Sequence, residues 1–510
     1  MRCGGRGHTR RSLPLYRVLC GAVLVAVLAL AVPTWGVTIN VAPSGQVISI
    51  VEAVSGAANG DVVAIPAGTW RGCQVPITGR GDGAAVTLAG AGAGVTIIDC
   101  EHSSHRAFSF PTSGFSAKFV IEDLTVRGGG SLTNANYSSG GCMLVGASSD
   151  VTLQRVVVES CSLVGTDFAT YRGGAIRVQS SGQLTLIDTI VRDSTASKGG
   201  CVYYSGSKRA KMDGTTITGC VASGDGGGVF ATIDHHFVIN GSGLEVRDNY
   251  AGGSGGGLYI VGETEVSQSA MLNVSNNVAE VRGGGVYVSG DDVSGTFNAG
   301  VIAGNSAGVC GGGMTWWGEA EVEIRDMLVS DNSAVAGGGL CLDDSGSGLS
   351  GTLVEGVTIT NNVAATTGGG VYIKSGEFTF DDTQLLSNTA VSGSGVFVES
   401  GAEPEITNSF VSGNLALEGG AFETSGSSGT IDVSNTVVCS NIGVLVHNSD
   451  VRCGGGSRFD NAMDGGCASN TFCKRSATAC TYAGGAPASC SGGCAPGYSG
   501  VRCDVLVDCE

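Results

Sequence analysis

Residues 276–288 read NNVAEVRGGGVYV, and the phrase returns as GNSAGVCGGGMTW (304–316), DNSAVAGGGLCL (331–342), NNVAATTGGGVYI (361–373) and SNTAVSGSGVFV (387–398). Each copy joins Asn-x-Ala to a Gly cluster and a short apolar run. The Asn recurs at Asn249, Asn277, Asn305, Asn332, Asn362, Asn388, Asn414 and Asn441, at intervals of 26 to 30 residues. An Ala keeps the same beat from Ala196 to Ala416, which marks a point where consecutive units lie too close for a larger side chain. Between the clusters stand alternating β-type runs such as Leu184, Leu186 and Ile190, without a helical period. A unit of this size cannot bury its apolar face alone, but it can coil once and stack on the next copy. The expected fold class is therefore all-β, a right-handed parallel β-helix, followed by a small Cys-rich module. In such a stack the Asn amides bond to one another and to turn backbone, in a position that tolerates the left-handed conformation.

Composition agrees. Of 510 residues 87 are Gly and only 9 are Pro, which excludes collagen, and 42% hydrophobic content with 14% charge excludes disorder. The 27 basic residues against 45 acidic ones give a net charge of −18, so nucleic acid is not an expected partner.

Arg2, Arg6, Arg10, Arg11 and Arg17 precede the apolar run 18–32. Its fifteen residues span about 22 Å as a helix, short of the ~30 Å hydrocarbon core, so residues 1–36 read as a signal peptide and no membrane span is expected after its removal. Seventeen of the 19 Cys lie beyond it, which places the chain in an oxidising compartment, secreted or at the cell surface. Cys73 and Cys100 are one period apart, while Cys142 with Cys161 and Cys201 with Cys220 are each 19 apart. These are expected bridges between coils, with Cys310–Cys341 and Cys439–Cys453 as further candidates.

The GGG-V-Y and N-x-A phrases resemble the polymorphic outer-membrane-protein repeat, whose GGA-I hallmark is met by Gly173, Gly174, Ala175 and Ile176. The stretch VISIVEAVSGAANGDVVAIPAGT (47–69) and VTIID (95–99) are similar to the opening region of pectin-lyase-like β-helix proteins. That resemblance implies a short amphipathic helix capping the coil. Near the end, CAPGYSGVRCD (494–504) looks like the closing signature of an EGF-like domain. The resemblance implies pairing of Cys467 with Cys480, Cys473 with Cys490, and Cys494 with Cys503. The resulting division is 1–36 signal peptide, 37–450 β-helix and 451–510 EGF-like module.

No catalytic constellation is expected. Asp291-Asp292, Asp343-Asp344 and Asp381-Asp382 read as solvated turn acids. Asp234, His235 and His236 form a faint likeness to a pectate-lyase stretch, but adjacent His residues on a strand face opposite ways. His102 and His105 read as loop residues, and no metal or cofactor spacing stands out. Trp316 and Trp317 interrupt the repeat, and their opposite orientation on a strand makes them the candidate ligand surface. The expected function is a non-enzymatic rigid stalk or adhesin binding an extracellular protein or glycan, with a polysaccharide lyase or glycoside hydrolase as the alternative. The oligomeric state is not legible.

Overall fold

In the computed structural model the described residues run from 36 to 460, interrupted at 78–84, 111–116, 131–138, 164–170, 345–351 and several shorter loops. They belong to one compact unit beginning at Gly36. The expected signal peptide and all six Cys assigned to the EGF-like module (Cys467, Cys473, Cys480, Cys490, Cys494, Cys503) lie outside them.

The chain forms a right-handed parallel β-helix, as the repeat predicts. Strands of one coil pair in parallel with strands of the next, in a 27-stranded first sheet, a 14-stranded second sheet and a 9-stranded third sheet. The helix Val47–Gly56 buries Val47, Ile50 and Val54 and packs against Val62–Ala64 and Val75–Pro76 at the first coils. The last strands, Asp450–Cys453 and Arg458–Asp460, still pair with the coil before them.

Alternation within each strand sends one side chain in two into the coil. In the second sheet Val286, Met314, Leu340 and Val371 follow one another in register, all fully buried. The third sheet consists of short strands whose Ala column supplies the close approach, as in Ala222↔Ala251 and Ala251↔Ala279. At the Gly clusters coils pack without side chains between them. A Cβ on Gly284 would stand 2.4 Å from the Gly312 carbonyl oxygen.

Each coil turns corners on left-handed residues. Around the coil that carries Trp316 these are Asp326 (φ 50°), Asp331 (φ 56°) and Gly337 (φ 58°). Asp and Asn carry such a φ at lower cost than other side chains. The left-handed residue is the one before the repeating Asn, at Asp248, Asn276, Asp331 and Asn361, and not that Asn itself. This corrects the expectation above. The corner instead turns the following amide into the coil, where Asn362 is fully buried. Its Nδ2 donates to Asn388 Oδ1 and to the Val329 carbonyl, each at 3.0 Å. Its Oδ1 accepts from Asn332 Nδ2 and backbone N–H, again at 3.0 Å. The same amide step recurs from Asn249 to Asn441.

Disulfides join Cys73–Cys100, Cys142–Cys161, Cys201–Cys220 and Cys310–Cys341, with Cα separations of 5.0 to 5.8 Å. Cys439 is buried with its Sγ 3.5 Å from Ser412 Oγ, and its expected bridge to Cys453 falls on a side chain outside the described ones. A bridge that closes 31 residues restricts the unfolded chain. Replacing both Cys310 and Cys341 by Ser is expected to lower stability by about 3 kcal/mol. Urea unfolding monitors this, and an unchanged midpoint would show that stacking alone holds these coils.

Candidate functional site

The outward face of the second sheet carries a column of side chains that does not follow the acidic character of the chain. In register it runs Arg177, Tyr203, Phe230, Tyr259 and Tyr287, then Thr315, Cys341, Tyr372 and Phe397. From Tyr203 to Tyr287 the rings stack at centroid distances of 4.7 to 4.9 Å. Their faces are occupied by one another, so this part of the column is a spine and not a platform for a ligand.

Cations stand at both ends of the spine. At one end the guanidinium carbons of Arg172 and Arg177 lie 5.3 and 5.5 Å from the Tyr203 ring centroid. At the other, Trp317 lies in direct register with Asp343. Arg282, from the coil before, reaches within 4.1 Å of the Trp317 ring, and Lys374, from two coils after, within 4.2 Å. Trp316 points the other way and is fully buried, which leaves Trp317 as the outward member of the pair.

Lys374 is held in place from beneath. Its Nζ donates to Asp343 Oδ2 at 2.9 Å, and the Ser375 hydroxyl donates to the other carboxylate oxygen. The Asp343 side chain is 0% exposed while that of Lys374 is 41% exposed, so the carboxylate positions the ammonium and the ammonium faces solvent. Two residues earlier on the same strand, the Tyr372 phenol donates to Glu399 on the next coil. Tyr372 and Lys374 are two residues apart on this strand, and the ladder slips at Lys374, where Asp343 pairs with Ser375.

Burial, the hydrogen bond to Glu399 and the charges of Glu399 and Asp343 push the Tyr372 phenol above its ordinary 10.0. Burial does the same for Tyr204 and Tyr259. A raised folded-state value favours the protonated form, so the stability these phenols confer is complete below pH about 10 and is lost as pH rises towards the folded values. Ultraviolet titration of phenolate is expected to show part of the Tyr signal ionising only together with loss of β-structure. Smooth ionisation near pH 10 in a folded protein would contradict this.

The charge pattern separates this face from the rest. On the first sheet the arginines are neutralised, as Arg127 by Asp99 (2.8 Å), Arg155 by Asp123 (2.7 Å) and Arg192 by Glu159 (2.5 Å), and likewise Arg247 by Asp248 and Arg325 by Glu323. Among the described residues Arg172, Arg177 and Arg282 have no carboxylate within ion-pair distance.

Of the acidic pairs read from the sequence, Asp343 enters this cluster. Asp381 accepts hydrogen bonds from Thr407 and Asn408 on the next coil, and Asp382 is a left-handed corner. His236 pairs with Glu265 at 2.8 Å. Asp234, His235, Asp291 and Asp292 lie outside the described residues, among which no three metal-ligating side chains converge. Arg172, Arg177, Arg282, Tyr372, Lys374 and Glu399 were not singled out by sequence. A signal existed, since an aromatic residue repeatedly stands two places after a Gly cluster, at Phe230, Tyr259, Tyr287 and Tyr372.

No protein-family model and no curated protein sequence matches the chain. Solved structures do. The A-module of the Azotobacter vinelandii mannuronan C-5 epimerase AlgE6 matches over 82% of this chain and 97% of its own, at 15% identity and a TM-score of 0.32. The catalytic domain of a GH87 alpha-1,3-glucanase matches over 83% of this chain and 69% of its own, at 12% identity and a TM-score of 0.35. At such identity the likeness speaks to the coil and transfers no residue roles. The names of these neighbours are those of carbohydrate-active enzymes, and on that finding the expectation of a non-enzymatic stalk or adhesin is withdrawn. No helix among the described residues is long and apolar enough to cross a membrane, and the four disulfides fit an oxidising, extracellular setting.

Proposed function

We propose that the protein is a carbohydrate-active enzyme of lyase type, cleaving a uronate-containing polysaccharide on the outward face of the second sheet. The observation that carries this reading is the solvent-facing Lys374, fixed by the buried Asp343 and set beside Trp317 and the Tyr372–Glu399 pair.

In such a reaction a proton leaves C5 of the uronate, the C4–O bond breaks with its electron pair going to the departing oxygen, and a C4=C5 double bond forms. Lys374, with Arg282 across the Trp317 ring, neutralises the uronate carboxylate and so acidifies the adjacent C–H. Glu399 accepts the C5 proton. Tyr372, kept protonated by its raised value, gives its proton to the departing oxygen. The existing Tyr372–Glu399 hydrogen bond then returns the proton to the phenol and resets the pair. A two-carboxylate hydrolysis fits less well, because Asp343 is 0% exposed and cannot reach a sugar.

The same reading places the enzyme outside the cell after removal of residues 1–36, with repeats of the polymorphic outer-membrane-protein type and a C-terminal EGF-like module that follows the last coil strand, Arg458–Asp460. Incubation of residues 37–510 with polygalacturonate, alginate and neutral glucans tests the reaction, with unsaturated ends read by ultraviolet absorbance. Accumulation of unsaturated product from an acidic polymer is the expected result. Folded protein that releases none from any of them sinks the reading.

A further inference from the structure

A second cluster lies far from Lys374 on the same face. Arg177 is on the strand Ile176–Ser180 and Lys374 on Val371–Ser375, seven strands further along the second sheet. At ~4.8 Å per step the two are about 34 Å apart. Arg177 is half-buried, and the charges of Arg172 and Arg106 add to burial in weakening its hold on its proton. Its Nη1 donates to Ser139 Oγ, yet its Nε is buried with no hydrogen-bond partner. Arg172 lies on the same Tyr203 ring. Arg172 and Arg177, two guanidiniums with no carboxylate at ion-pair distance among the described residues, in a chain of net charge −18 whose first-sheet Arg127, Arg155, Arg192, Arg247 and Arg325 pair with acids, are a costly arrangement in isolation. An anion placed among them removes the repulsion and supplies the missing acceptor.

We infer that Arg172 and Arg177, on the Tyr203 ring, form an anion-binding subsite for a carboxylate or sulfate group of an acidic polysaccharide. It deepens the lyase reading and rests on it for the nature of the polymer. One chain of sugar lying along the second sheet would be gripped by charge here and processed at Lys374, so short oligomers would reach only one of the two clusters.

The test is calorimetric binding of polygalacturonate oligomers, a sulfated oligosaccharide and a neutral glucan oligomer, matched in length, to residues 37–510 and to the variants R172Q, R177Q and R172Q/R177Q. The acidic oligomers are expected to bind at least about tenfold more tightly than the neutral one, and each single variant to lose about tenfold. Added salt weakens the acidic binding alone. The preference between the carboxylate and the sulfate arm names the anion. R172Q guards against a folding defect in R177Q, and thermal midpoints near that of the parent confirm it. Equal affinity for acidic and neutral oligomers, or an undiminished affinity in the double variant, overturns the subsite. Arg-dependent binding without any turnover sustains the subsite and removes the lyase reading, whereas turnover with unchanged binding in R172Q/R177Q does the reverse.

Discussion

A K374M/D343N variant is expected to fold like the parent and to lose two to three orders of magnitude in turnover, roughly what removal of one preorganised charge-stabilising group costs an enzyme. The double substitution matters. Lys374→Met alone would leave the fully buried Asp343 carboxylate without its cation, a defect of about 3 to 5 kcal/mol that could unfold the coil and mimic loss of catalysis. Asp343→Asn alone keeps the ammonium but removes the charge that positions it, so it is expected to reduce kcat more than it raises KM. Because Arg172 and Arg177 stand about 34 Å away, binding of long acidic oligomers is expected to survive the double variant. Full turnover in K374M/D343N would exclude this cluster as the site of reaction.

The second large effect falls on the amide ladder. Asn362→Ala removes an acceptor shared by Asn332 Nδ2 and backbone N–H, and strands the Val329 carbonyl. Each stranded buried group costs about 1 to 3 kcal/mol, so the variant is expected to lose at least about 3 kcal/mol in urea unfolding. The neighbouring Asn361 is exposed and sits at φ 54°, and Asn361→Gly is expected to change stability by less than about 1 kcal/mol. Two identical side chains, adjacent in sequence, thus differ in effect because the corner turns one outward and the next inward. Equal costs for both would refute the ladder as a source of stability.

That pair also marks how far the sequence could be read. The period, the Ala column, four of the bridges and the coil itself followed from spacing, since stacking demands that the same residue type return at the same point of each turn. The phase of the left-handed corner did not follow, because an Asn-Asn dipeptide suits either assignment. The site was less legible still. Tyr372 and Lys374 are two apart in sequence, but Glu399, Asp343, Trp317 and Arg282 join them from other coils, through intervals that vary from unit to unit. Only a fixed register tells which of these outward positions meet. The acid pairs read as solvated turn acids, yet Asp343 is fully buried beneath a lysine.

The amide ladder has a further consequence for how the molecule can change over time. Each Asn gives to the next coil and takes from the one before in the same way, from Asn249 to Asn441. Removing or duplicating one whole coil therefore leaves every remaining amide with equivalent partners, whereas inserting a single residue within a coil does not. Length in this protein is a quantity adjusted in whole steps of ~4.8 Å. Under the proposed reading, in which Arg177 anchors a polymer and Lys374 lies at the reactive centre, the number of coils between them would set the length of polymer that is gripped.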